Sequence, residues 1–115
     1  MYYDLLVHVD DNDKARLNLA MNNCANYAAA LPGETFKTVM VVTGPAAQLF
    51  TKENADQAER GEALMKKGLS IRLCNNALNA FKVDRSKLWK GCEIIPAGMV
   101  EIVRLQREGY AYVKP

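Results

Sequence analysis

The sequence predicts an α/β fold with a mainly parallel sheet of five strands, and three observations carry that reading. Apolar, strand-like runs alternate with helix-like segments along the whole chain. The first run, Tyr3 to Val9, is continuously apolar with one acidic residue near its start, as a strand covered on both faces must be. Pro32-Gly33, Gly44-Pro45, Gly68 and Gly109 punctuate the chain where one segment type gives way to the next.

Taken in order, Tyr3 to Val9 reads as the central strand of the sheet. Asp10-Asp11-Asn12-Asp13 then supplies an N-cap and negative charge for a helix running to about Leu31 and ended by Pro32-Gly33. Leu17, Ala20, Met21, Cys24, Ala28 and Leu31 follow the i, i+3, i+4 pattern and place one apolar stripe against the sheet. Cys24 lies in that stripe and reads as a core residue. Asn18, Asn22 and Asn26 give the opposite face an uncharged polar surface suited to solvent or to another subunit.

Phe36 to Thr43 is the second strand, and Pro45 suits the first turn of the short segment Ala46 to Phe50. Glu53 to Lys67 is a weaker helix, interrupted by Gly61 and closed by Gly68. Leu69 to Cys74 is the third strand, followed by a short helix from Asn75 to Phe81. Val83 to Gly91 reads as an irregular turn with Leu88 and Trp89 as inward anchors. Glu93 to Ile95 is a fourth strand ending at Pro96-Ala97-Gly98. Met99, Ile102, Val103 and Leu105 mark the helix that follows, and Tyr110 to Val113 is the final strand. No linker, repeat or low-complexity stretch divides the chain, so residues 1–115 are expected to form one domain.

The bulk composition excludes several function classes. Fifteen basic and 13 acidic residues are spread evenly, leaving a formal charge of +2 and no polybasic run, so nucleic acid has no electrostatic footprint here. No stretch approaches the ~18 apolar residues of a membrane span, and Met1 to Val7 lacks the features of a signal peptide. A soluble cytoplasmic protein is the expectation. Three cysteines without a C-x-x-C pair give neither a disulfide framework nor a zinc site, and a single histidine leaves no metal set to assemble. Gly44-Pro45 is neither a P-loop nor a G-x-G-x-x-G fingerprint, so neither nucleotide nor flavin is expected, and no cofactor is implied. The Asp10 to Asp13 run fits helix capping rather than a calcium loop.

In an open parallel sheet, ligands bind at the carboxyl ends of the strands. That edge collects His8, Thr43 and Gly44, Cys74 and Asn75, and Pro96 to Gly98. Cys92 precedes the fourth strand and so falls on the opposite edge, about 15 Å away at ~3.3 Å per residue, which excludes a bridge to Cys74. Cys74 is the leading candidate because a thiol where a strand meets a helix N-terminus would face open amides that stabilise a thiolate. The plain alternative is a buried cysteine acting as a small hydrophobe. His8 has the same two readings: a base for Cys74, or a strand-end histidine capped by the Asp10-Asp11 backbone.

The ordered set of segments resembles the DsrE/DsrF-like family of sulfur-metabolism proteins over nearly the whole chain. The residues that carry the resemblance are His8-Val9-Asp10, Leu19-Ala20-Met21-Asn22-Asn23, Val41-Val42-Thr43-Gly44-Pro45, Arg72-Leu73-Cys74-Asn75-Asn76 and Ile95-Pro96-Ala97-Gly98, followed by Val103 to Tyr112. The resemblance implies a three-layer α/β/α subunit that assembles into homotrimers or homohexamers, and in some relatives a cysteine that carries sulfur as a persulfide. Cys74 matches that cysteine. Thr43 stands where many relatives have a histidine before the glycine, and Asn76 where a threonine is common, so proton transfer and substrate positioning differ here. The function this implies is a sulfur carrier or sulfurtransferase-like relay, served by sulfur donor and acceptor proteins, with His8, Thr43, Gly44, Asn75, Asn76 and Gly98 around Cys74. A reading from another class is a non-catalytic oligomeric module that binds a small ligand or a partner, its cysteine structural.

Overall fold

Five strands, β1 (Leu5–Val9), β2 (Thr38–Val42), β3 (Leu69–Cys74), β4 (Glu93–Ile95) and β5 (Ala111–Val113), form one sheet in the computed structural model, which describes residues 1–115. Every pairing is parallel, and the order is β4-β3-β2-β1-β5. The α/β expectation therefore holds, and the sheet is wholly parallel.

The central strand is β2, not β1 as the sequence suggested. β1 sits between β2 and β5, pairing Leu6 with Val39 on one side and with Tyr112 on the other. Any strand with neighbours on both edges and cover on both faces is apolar throughout, so composition does not distinguish the second place in a sheet from the third.

Helices α1 (Lys14–Ala29), α2 (Ala55–Lys66) and α3 (Asn75–Ala80) pack on one face with the helical turn Gly44–Leu49, and α4 (Gly98–Arg107) packs on the other. This gives three layers. Asp13 caps α1, its Oδ1 accepting the Ala15 N–H at 2.9 Å. Leu17, Ala20, Met21 and Cys24 are buried as expected, but Ala28 is exposed and Leu31 only half-buried. The last turn of α1 overhangs the amino edge of the sheet, beside an open hollow of about 630 Å³ lined by Ala28, Phe36 and Leu64. The asparagine face is partly used within the subunit: Gln57 Nε2 on α2 donates to Asn18 Oδ1 at 3.4 Å, and Arg60 donates to Asn22. Asn26 is exposed.

Gly61 does not interrupt α2. A Cβ there would lie 2.4 Å from Trp89 Cζ3, so the helix carries a glycine because the indole packs against its bare backbone. Trp89 is 1% exposed, donates its Nε1–H to the Thr51 carbonyl at 3.0 Å, and packs on Phe50 with ring centroids 4.4 Å apart. These side chains belong to a 21-residue apolar cluster that fills the face under α1, α2 and α3.

The opposite face holds five buried apolar residues: Leu6, Val39, Val41, Ile102 and Leu105. Ion pairs supplement them. Arg72 on β3 donates to Glu101 Oε2 at 2.7 Å, and Arg104 donates to Glu101 Oε1 at 2.9 Å. Burial would raise the Glu101 pKa, but these two guanidinium partners overrule it and hold the carboxyl below its ordinary range. Of the four residues that mark α4 in the sequence, only Ile102 and Leu105 face the sheet. Met99 and Val103 are exposed together with Val100. No helix is long and apolar enough to cross a membrane.

Candidate functional site

Cys74, at the end of β3, packs in the large cluster and has its Cβ beside α4, whereas side-chain alternation along the strands sends Leu6 and His8, and likewise Ser70 and Arg72, toward the α4 face. His8 is buried there at 7% exposure and hydrogen-bonded on both ring nitrogens, Nδ1 to Tyr112 Oη at 2.6 Å and Nε2 to Thr43 Oγ1 at 2.8 Å. Its partners are thus two side chains, not the Asp10-Asp11 backbone. Burial lowers the His8 pKa below the ordinary histidine value, with Asp10 pulling it up and Lys114 pushing it further down. Lys114 Nζ approaches the enclosed Asp10 Oδ1 to 3.2 Å as an ion pair without hydrogen-bond geometry.

Cys74 ends β3 and directly precedes α3, as the sequence indicated, and is 7% exposed. Its thiol makes no hydrogen bond to the first amides of α3, contrary to expectation. The residue packs instead among apolar neighbours: Cys74 belongs to the large cluster together with Ala77 and Leu78 of α3, while its Cβ also faces α4 at Gly98.

Gly98, the first residue of α4, brings this face together. A Cβ on Gly98 would lie 2.4 Å from Thr43 Cγ2 and 3.3 Å from Cys74 Cβ, so α4 approaches both residues through a bare backbone. Thr43 continues β2 one residue past the Val42–Leu73 pair, which makes it the lateral neighbour of Cys74. His8 is farther off. It pairs with Val41, which pairs with Arg72, so it lies two strands and two positions from Cys74, about 10 Å laterally. Thr43 stands between them.

The remaining candidates surround this group. Gly44 takes φ +56°, with space for a Cβ 3.7 Å from the Asp10 carbonyl, and turns the chain from β2 into its helical segment. Asn75 Oδ1 accepts from Arg85 Nη2 at 2.5 Å, and the same nitrogen donates to Asn79 Oδ1 at 2.9 Å. Asn76 is exposed on the first turn of α3.

All three cysteines are free. Burial pushes the Cys24 thiol up to about 11, and burial with the nearby Glu62 charge pushes Cys92 up to about 12. Cys92 lies before a three-residue β4, so its offset from Cys74 along the strands is about 10 Å rather than 15 Å.

Two residues near the site escaped the sequence reading. Tyr112 sits in a short edge strand whose pairing with β1 no local pattern announces, although the alternation Tyr110-Ala111-Tyr112 put one tyrosine on the same face as His8. Arg85 lies in the irregular turn, where no periodicity assigns direction. The C-terminal tyrosines are engaged within the subunit: Tyr110 packs against the smaller cluster and Tyr112 holds His8.

Residues 2–115 match the profile of the DsrE/DsrF-like family. A solved structure described as a protein of unknown function from Methanobacterium thermoautotrophicum is similar over 98% of this chain and 99% of its own, with a TM-score of 0.89 and 27% identity. No curated protein matches the sequence. With residues 2–115 covered by the family model, the chain belongs to the DsrE/DsrF-like family.

Proposed function

We propose that the protein is a sulfur carrier, sulfurtransferase-like in its chemistry, that holds sulfane sulfur as a persulfide on Cys74. One observation carries this reading: Cys74 is the only one of the three cysteines at the carboxyl edge of the sheet, beside Thr43 and Gly98, whereas Cys24 and Cys92 are held as thiols by burial. Family membership supports it.

The transfer is balanced without an external oxidant. The Cys74 thiolate attacks the terminal sulfur of a donor persulfide, the new S–S bond forms on Cys74, and the donor leaves as a thiolate that takes up a proton. Release reverses the roles: an acceptor thiolate takes the terminal sulfur, and Cys74 departs as the thiolate. Thr43 is the lateral neighbour of Cys74 on β2 and its hydroxyl is hydrogen-bonded to His8 Nε2 at 2.8 Å, so His8 would receive or return the proton by way of Thr43. Gly44 shapes the turn that holds Thr43, and Asn75 and Asn76 form the rim of the site.

Association into a homotrimer or homohexamer is part of the proposal. Met99, Val100 and Val103 are 65%, 68% and 49% exposed on one helix, and an apolar surface of that kind suits a subunit contact. A reducing cytoplasmic setting, in which three thiols stay unpaired, belongs to the same reading.

The test is mass spectrometry after exposure to a persulfide donor. A gain of about 32 Da should map to Cys74, vanish in Cys74→Ser and persist in Cys92→Ser. The second reading, a non-catalytic oligomeric module, draws on the packing of Cys74 into the 21-residue cluster. Slow labelling of all three thiols alike, with no sulfur gained, would select it.

A further inference from the structure

Arg85 is an unassigned charge bonded to the residue that follows Cys74. Its Nη2 donates to Asn75 Oδ1 and Asn79 Oδ1, two neutral acceptors one turn apart on α3. No carboxylate lies within 4.0 Å of its guanidinium, whereas Lys87, two residues on, pairs with Glu53 at 3.6 Å. The adjacent Asp84 spends its carboxylate locally: its Oδ1 accepts from the Ser86 N–H at 2.9 Å and from the Ser86 hydroxyl at 2.7 Å. The guanidinium is therefore positioned but not neutralised.

The two asparagines also become oriented. Because each accepts through Oδ1, its Nδ2 amide is left free to donate elsewhere, and the Nε and Nη1 hydrogens of Arg85 are likewise uncommitted. A fork of guanidinium N–H groups matches a carboxylate in bidentate fashion. Asn75 follows Cys74 directly, so the charge stands on the order of 10 Å from the Cys74 backbone, the span of two to three extended residues.

We propose that Arg85, with the Asn75 and Asn79 amides, is an anion-recognition site that selects a carboxylate-bearing small persulfide as the sulfur donor for Cys74. The sulfur step rests on the relay reading above; the anion site does not. Cys74 is 7% exposed while Arg85 lies on the surface, so the sulfur end of such a donor would have to enter toward Cys74 while its carboxylate stays outside at Arg85.

The experiment uses two maleimides with the same reacting group, one carrying a propionate tail and the other its methyl ester. Labelling of Cys74 in the intact protein is followed by peptide mass mapping, which separates it from Cys24 and Cys92. Arg85→Gln should slow the propionate reagent about fivefold and leave the ester within about twofold, the size of one exposed charge contact. Added salt should slow the propionate reagent on the unaltered protein in the same way. An unchanged propionate-to-ester ratio in Arg85→Gln overturns the anion site. Loading with glutathione persulfide separates the two readings: a lost ratio with no sulfur on Cys74 keeps the anion site and removes the relay. An unchanged ratio with normal loading does the opposite.

Discussion

The two faces of the sheet are built on different principles. Under α1, α2 and α3, 21 buried residues interlock around Trp89 and Phe50, and the only special accommodation is a glycine where the indole meets α2. Under α4, five buried apolar residues share the surface with Arg72, Glu101 and His8, and Gly98 approaches Cys74 at the edge. The thick face supplies the apolar burial from which a domain of this size draws its stability. The thin face has too little apolar area to do the same, so it attaches its one helix by ion pairs and by close backbone approach at Gly98. That economy of cover leaves the bonded pair His8 and Thr43 next to Cys74's strand at the carboxyl edge.

The comparison is tested most severely on the thick face. Trp89→Ala should cost about 3–5 kcal/mol in urea unfolding, while the hydrogen bonds of His8 remain intact in the folded fraction. A loss below about 1 kcal/mol would mean that the large cluster is not the main source of stability.

Gly98→Ala comes next. Its new Cβ would press on Thr43, and overpacking of that kind costs about 1–3 kcal/mol. Because the N-terminal end of α4 must lift, Cys74 should also label faster with a neutral maleimide. Unaltered labelling would show that α4 does not guard the thiol.

Tyr112→Phe should cost about 1 kcal/mol, one hydrogen bond. His8 is the chain's only histidine, so its imidazole ¹⁵N resonances report the change without ambiguity. Resonances that stay in place would show that Tyr112 does not set the ring's tautomer.

The smallest effect is on the pH profile. Between the lowered folded pKa of His8 and the ordinary 6.5, the unfolded chain binds a proton that the folded chain does not. Stability contributed by neutral His8 is therefore complete above 6.5 and is lost as pH falls through that window. Glu101 and Asp4, both held below the ordinary carboxyl range, add slopes of the same sign at lower pH. Urea midpoints measured from about pH 7 down to about pH 5 should fall, and His8→Gln should flatten the upper part of the curve.

Much of the architecture was readable because strands and helices announce themselves by period and by punctuation. Gly68, Gly109 and Asp13 end or begin elements where local chemistry requires it, and Trp89 was recognisable as an anchor by its isolation in a polar turn. The errors were of another kind. Placing β1 at the centre, bonding the Cys74 thiol to the α3 amides and giving His8 a backbone cap all concern which neighbour a residue meets. Those depend on strand order and on alternation counted from a known reference, and the sequence supplies neither. Gly61 shows the same limit: within α2 it looks like a break, and only the distant indole explains it. At the site, the edge rule gathered Cys74, Thr43, His8 and Gly98 correctly onto one rim, but Tyr112 and Arg85 required tertiary pairing to be seen.

The imidazole and the tyrosine that holds it are 104 positions apart in the chain. Closing so long a loop is entropically unfavourable until the intervening strands have paired. Until Tyr112 is in place the His8 ring nitrogen is left to water, and the rim matures only when β5 docks beside β1. Any chemistry that depends on His8 is in this way withheld from incomplete chains.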